Sequence, residues 1–256
     1  MIQVVKIGGN VIDDAEALRH FLQAFSQIQD PKVLVHGGGK LATRLSTRLG
    51  IPTQMIEGRR VTDADTLDIA VMTYAGLTNK RIVAALSALH QPAIGLCGAD
   101  GNAIRSVRRS PEPIDYGFVG DIANDGVNAA FLHTLLREGY TPVLCAITHD
   151  AKGQLLNTNA DSIASAVAVA LSQIAPTTLT FCFEKPGVLQ RLDDDQSVIA
   201  HIDSASFERL KADGVIAAGM HPKIAGALAA VSHGVSRVVI KSAKDLLDED
   251  AGTVIA

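Results

Sequence analysis

Two lysines in this chain stand at junctions between regular structure and glycine, a placement suited to handling anions. Lys6 lies in the apolar run Val4-Val5-Lys6-Ile7, which stops in Gly8-Gly9-Asn10. A lysine there is either a packed stem whose head reaches water, or a cation at the carboxyl end of a core strand turned into a site. Lys223 follows Gly219-Met220-His221-Pro222, where the proline suits the first turn of a helix. A cation in that turn opposes the helix dipole unless an anion is near, so Lys223 asks for a phosphate. Between them, Val33-Leu34-Val35 runs into His36-Gly37-Gly38-Gly39-Lys40. A glycine turn that opens a helix leaves N–H groups free to cradle an anion. Neither the Walker spacing nor the dinucleotide glycine pattern is present.

Two further stretches carry polar chemistry. Arg60, in Gly58-Arg59-Arg60-Val61-Thr62, precedes a helix and suits a bidentate contact with a carboxylate; a surface ion pair would read the same way. Asn157-Thr158-Asn159-Ala160-Asp161 brings Asn157, Asn159 and Asp161 to the start of an alanine-rich helix, where turn asparagines and a helix cap are the plainer alternative. Two lysines, two glycine turns, an arginine and an aspartate fit transfer of a phosphoryl group between anions, which needs positioning and charge neutralisation more than covalent help. A carboxylate acceptor is already ionised at neutral pH and needs no general base.

The elements that must position these groups alternate. The pattern predicts a strand through Lys6, a helix opening at Asp13 with Glu16 as a capping pair, a strand at 33–35, and a helix carrying Leu41, Leu45 and Leu49 and closed by Gly50. A helix follows to about Leu89, capped at Thr62 and Asp65, then a strand at 93–97. Hairpins are expected from Ala103 to about Asn124, as a flap over the site and not a separate domain, and then a helix through Leu132 and Leu136. Strands at 142–147, 178–183, 237–240 and 253–255 and helices at 162–171, 204–213 and 220–233 complete an alternating α/β order with parallel units.

The chain of 256 residues is 47% hydrophobic and 20% charged, with a net charge of -4. That balance opposes a nucleic-acid surface, which needs clustered excess cation. Arg105, Arg108 and Arg109 read as a solvated loop. Cys97, Cys145 and Cys182 lie far apart in apolar runs, as buried thiols of a reducing compartment do. No leader and no apolar segment of spanning length is evident, so no membrane role and a cytoplasmic location are expected.

Lys6-Ile7-Gly8-Gly9, His36-Gly37-Gly38-Gly39, Gly58-Arg59-Arg60-Val61-Thr62, Asn157-Thr158-Asn159-Ala160-Asp161 and Gly219-Met220-His221-Pro222-Lys223 resemble the amino-acid kinase family. Within it, the likeness is to the N-acetylglutamate kinases of arginine biosynthesis, and it runs along essentially the whole chain. The resemblance implies a three-layer αβα sandwich around a central, mainly parallel open sheet. Residues 1–176 would form the acylamino-acid lobe and 177–256 the nucleotide lobe of one continuous fold. It implies phosphorylation of the side-chain carboxylate of N-acetyl-L-glutamate by ATP with Mg2+, with no metal assigned to protein side chains. By the same resemblance Lys6 and Lys223 would stabilise the transition state and Asp161 would organise them. Gly38, Gly39, Arg60, Asn157 and Asn159 would bind the substrate, and Gly8, Gly9, Glu184, Lys185, Gly187, Val188, Gly219 and Met220 the nucleotide.

The chain departs from the family at Phe183-Glu184-Lys185-Pro186-Gly187, where a small polar residue and an aspartate usually precede the glycine. Only five residues precede Lys6, whereas arginine-inhibited members resemble one another in an extra N-terminal helix; a homodimer without arginine feedback is the expectation. An N-succinylglutamate kinase, a relative acting on glutamate, carbamate or aspartate, and a silent metabolite-binding regulator remain alternatives.

Overall fold

The computed structural model describes residues 1–56, 59–216 and 220–256. In chain order its elements begin with β1 (Ile2–Ile7), α1 (Gly9–Asp13), α2 (Ala15–Gln27), β2 (Lys32–His36), α3 (Gly39–Arg48), β3 (Met55–Ile56) and β4 (Arg59–Arg60). Then α4 (Ala64–Ala70) passes through a π-helical stretch, Val71–Thr78, into α5 (Asn79–Ala88). Next come β5 (Ala93–Leu96), β6 (Ile104–Arg108), β7 (Val119–Val127), α6 (Ala129–Arg137), β8 (Thr141–Cys145), β9 (Ile147–His149), β10 (Leu155–Thr158) and α7 (Ala160–Ser172). The last are β11 (Thr177–Phe183), β12 (His201–Ile202), α8 (Ser204–Ala212), α9 (His221–Ser232), β13 (Arg237–Ser242) and β14 (Thr253–Ile255). Two compact units result: Met1–Val33 with Ala164–Ala256, and Leu34–Ile163.

In the first unit the strands run β12-β14-β13-β11-β1. β1, β11 and β13 are parallel neighbours, while β14 runs antiparallel to β13. All of β1 except Gln3 is buried, as a strand covered on both faces must be. α2 starts at Asp14, whose carboxylate accepts from the Glu16 and Ala17 amides at 2.9 and 3.0 Å. Its buried stripe of Phe21, Leu22 and Phe25 follows the helical period, with the two rings stacked at 6.0 Å. Lys32 closes the helix: its buried ammonium donates to the Ser26 and Ile28 carbonyls at 3.1 and 2.6 Å.

In the second unit β2, β8 and β5 pair in parallel, Leu34 beside Val143 and Leu96 beside Leu144. The strands β10-β7-β6-β9 close on themselves as a small barrel, so the expected hairpins belong to a closed structure. The molecule has the mixed α/β order and mainly parallel sheet implied by the sequence. No helix among the described residues is long and apolar enough to cross a membrane.

Several local expectations are corrected. The cap of α2 is Asp14, one residue past Asp13, and that of α4 is Asp63, lying between Thr62 and Asp65. On α3 the buried positions are Ala42 and Ser46, while Leu49 is 57% exposed, because small residues let the helix approach its neighbours. The apolar run at 142–147 is two strands, β8 and β9, and the short β12 went unread. The arginines of β6 and the residue after it are not simply solvated: Arg105 pairs with Asp125 at 3.0 Å, Arg108 with Asp115 at 3.2 Å, and Arg109 with Asp121. Each arginine thus meets an aspartate, and the cluster presents little excess cation.

Candidate active site

Lys6, at the carboxyl end of β1, is 7% exposed. It lies beside Phe181 in register, and Phe183 follows two residues further along the same face of β11. The Lys6 ammonium stands 4.7 Å from the centre of the Phe183 ring. Lys223, in the first turn of α9 with Pro222 ahead of it, brings its ammonium to 3.8 Å from the same ring. The two sequence-predicted lysines are therefore gathered on one aromatic side chain that sequence reasoning had marked only as a departure.

Gly8 serves space rather than a left-handed turn, whereas a Cβ on Gly9 would have nothing within 4 Å. Gly8 is the extended N-cap of α1, at φ -70 and ψ 152. A Cβ there would stand 3.1 Å from the Cys182 carbonyl and 3.2 Å from the Phe183 ring. Beyond Phe183, Glu184 accepts a hydrogen bond from the Asn10 amide, and Lys185 pairs with Asp195 at 2.8 Å. Gly187 and Val188 pack against β14: a Cβ on Gly187 would meet Thr253 Oγ1 at 2.8 Å, and the Val188 amide donates to that oxygen at 2.9 Å. Met220 is the N-cap of α9 and offers no side-chain cap. Gly58 and Gly219 lie outside the described residues.

In the second unit the glycine turn is built around His36. Its ring is fully buried, Nδ1 bonds to the Gly37 carbonyl at 2.7 Å, and the Asn79 amide donates to Nε2 at 3.0 Å. This pattern fits the neutral ring with its proton on Nδ1, and burial lowers the pKa to about 4. Gly38 caps α3 where a Cβ would fall 2.7 Å from the Tyr74 ring. Gly39 has nothing within 4 Å of that position.

Arg60 is 9% exposed and fixed by directional bonds. It donates to the Gly39 carbonyl at 3.0 Å, Thr43 Oγ1 at 2.7 Å and Thr53 Oγ1 at 3.4 Å. Tyr74 lies beside it, its phenol pushed up by burial despite the hydrogen bond from Arg60. Sequence reasoning missed Tyr74, because the π-helical turn that carries it follows no 3.6-residue period. Thr62 donates to the Arg60 carbonyl at 3.1 Å and accepts from the Asn157 amide at 3.0 Å, which orients that amide. Asn159 Oδ1 accepts from the Asp161 and Ser162 amides at 2.8 and 3.1 Å, so Asn159 caps α7 and Asp161 sits in its first turn.

Burial raises the thiol pKa of Cys97, Cys145 and Cys182, which disfavours the thiolate.

The sequence pattern of the Amino acid kinase family matches residues 1–242. This chain belongs to that family. An acetylglutamate kinase from Phocaeicola vulgatus is 49% identical over 254 residues, covering 99% of this chain and 98% of the relative. Among solved structures, the Streptococcus mutans protein smu.665 superposes with a TM-score of 0.80 at 28% identity, covering 100% of this chain and 98% of that one. The N-acetylglutamate synthase of Neisseria gonorrhoeae, solved with coenzyme A and N-acetyl-glutamate, gives a TM-score of 0.84 at 25% identity. The match covers all of this chain and 59% of the synthase.

Proposed function

We propose that this amino acid kinase transfers the γ-phosphoryl group of ATP to the side-chain carboxylate of N-acetyl-L-glutamate, giving an acyl phosphate in arginine biosynthesis. The observation that carries this reading is the near full-length match to an acetylglutamate kinase at 49% identity. The arrangement of charges supports it. Lys6 and Lys223 supply two cations for the charge that spreads over the phosphoryl oxygens during transfer. Arg60, held as a planar fork, and Asn157, oriented by Thr62, suit the α-carboxylate and amide of an acylated amino acid. Gly38 and Gly39 open α3 as an anion cradle, Asn159 belongs to the substrate end, and Asp161 is the organiser of the catalytic cations.

The nucleotide is assigned to Gly8, Gly9, Glu184, Lys185, Gly187, Val188, Gly219 and Met220. Residues 1–176 form the acylamino-acid lobe and 177–256 the nucleotide lobe, with Gly8 and Gly9 of the first also assigned to the nucleotide, a division that does not follow the compact units. Among the described residues no group of three or more His, Cys, Asp or Glu side chains is placed to hold a metal ion. We assign Mg2+ to the nucleotide's own phosphates, whose charge it would neutralise. A cytoplasmic homodimer completes the reading; sedimentation measures the oligomer.

Incubation with MgATP and hydroxylamine tests the reaction, because hydroxamate traps an acyl phosphate. N-acetylglutamate should give signal, while N-succinylglutamate, glutamate and aspartate offered separately should give little. Signal with N-succinylglutamate alone would keep the reaction and change the acyl group. Silence with all four, in protein that binds ATP, would overturn the proposal.

A further inference from the structure

One aromatic ring in this molecule takes two ammonium groups. The distances of 4.7 and 3.8 Å to the Phe183 ring hold the Lys6 and Lys223 nitrogens within about one screening length of each other, roughly 10 Å at 0.1 M salt. At that separation two cations repel, and each would drive the other's flexible four-carbon stem away. The negative face of an aromatic ring attracts both without adding a formal negative charge.

The ring is itself fixed. Phe181, 2% exposed, stacks on it at 6.4 Å with the planes inclined by 10°. Gly8 leaves the room it needs, since a Cβ there would press on its edge at 3.2 Å. β1 brings Lys6 to it, β11 carries it, and the first turn of α9 delivers Lys223.

We propose that Phe183 is a positioning residue for phosphoryl transfer, its ring holding the Lys6 and Lys223 ammonium groups together in the charged, transfer-ready arrangement. This rests on the role proposed above for the two lysines. Phe183 acts through them and need not touch the reacting atoms.

Fluorination separates this role from packing, because successive fluorines drain the negative face while nearly preserving the ring's shape. The full chain is made with 4-fluoro-, 3,5-difluoro- and 3,4,5-trifluorophenylalanine placed at position 183 alone, and kcat and KM are measured by hydroxamate formation with MgATP and N-acetylglutamate. The expected result is a stepwise fall in log kcat, reaching about tenfold at three fluorines, with KM for the acylglutamate within about twofold. Phe183→Leu should fall at least as far, and Phe183→Tyr should retain most of the wild-type kcat. A flat kcat across the fluorinated series, even with an impaired Phe183→Leu, would overturn the proposal by making the ring mere filling. Lys223→Ala is run beside them. If it is inactive while the series is flat, this inference alone fails; if it keeps full kcat, the reading of the lysines fails and this inference with it.

Discussion

Lys6 and Lys223 meet Phe183 through its π face, whereas Arg60 is tied by its N–H groups to the Gly39 carbonyl and the hydroxyls of Thr43 and Thr53. The contrast is between position and orientation. A ring face attracts an ammonium broadly and sets no single direction, which suits the proposed role of a cation that follows a moving phosphoryl group. A guanidinium held by several acceptors is fixed as a plane, which suits recognition of a planar carboxylate that does not react. In one chain, two kinds of cation meet two kinds of contact, and each match fits the role proposed for that cation.

The largest expected effect falls on the lysine side of this contrast. Lys223→Ala should lower kcat by about 10²-fold or more, as loss of an electrostatic stabiliser does; a folded variant with unchanged kcat would remove Lys223 from the chemistry. His36 tests the fixed side through stability. Its folded pKa near 4 lies below the ordinary 6.5, so beneath pH 6.5 the unfolded chain takes up a proton that the folded chain refuses. Stability from this group is complete above pH 6.5 and is lost as the pH falls toward 4, by about 2 kcal/mol at pH 5. NMR titration should find a ring that is still neutral at pH 5; a titration near 6.5 would contradict the buried bonds to Gly37 and Asn79.

Arg60→Lys sharpens the comparison directly, since lysine keeps the charge and loses the fork. KM for the acylglutamate should rise about tenfold with kcat much less affected, and an unchanged KM would show that orientation is unimportant there. The smallest effect belongs to Gly38→Ala. Its Cβ would sit 2.7 Å from the Tyr74 ring, overpacking the turn by about 1 kcal/mol. Thermal melting should fall by a few degrees, and pairing it with Tyr74→Leu should recover part of the loss; a melting point equal to wild type would mean the ring moves aside without cost.

Much of the frame was legible because it depends on local pattern. The apolar strands at Val4 and Val33, the glycine turn at 37–39 and Pro222 in the first turn of α9 all appear where residue type and spacing put them. What stayed hidden depends on partners distant in sequence. Asp13 and Asp14 are chemically equivalent until the path of α1 decides which is the cap. That Ala42 and Ser46, not the leucines, are the buried positions of α3 depends on close approach by neighbouring elements, a tertiary fact. Lys6 and Lys223 could be suspected of acting together, but nothing in either neighbourhood named Phe183 as their shared contact.

The π-helical stretch at Val71–Thr78 also bears on how this helix can change over descent. Within a continuous α-helix, losing one residue turns every later side chain by about 100°. A π-helical stretch carries a surplus residue, so a single deletion there would let the backbone wind back to the ordinary pattern with the inward faces of α4 and α5 kept in phase. Chain length is thus more negotiable between Val71 and Thr78 than on either flank, and what such a deletion would forfeit is the aim of Tyr74 at Gly38 and Arg60.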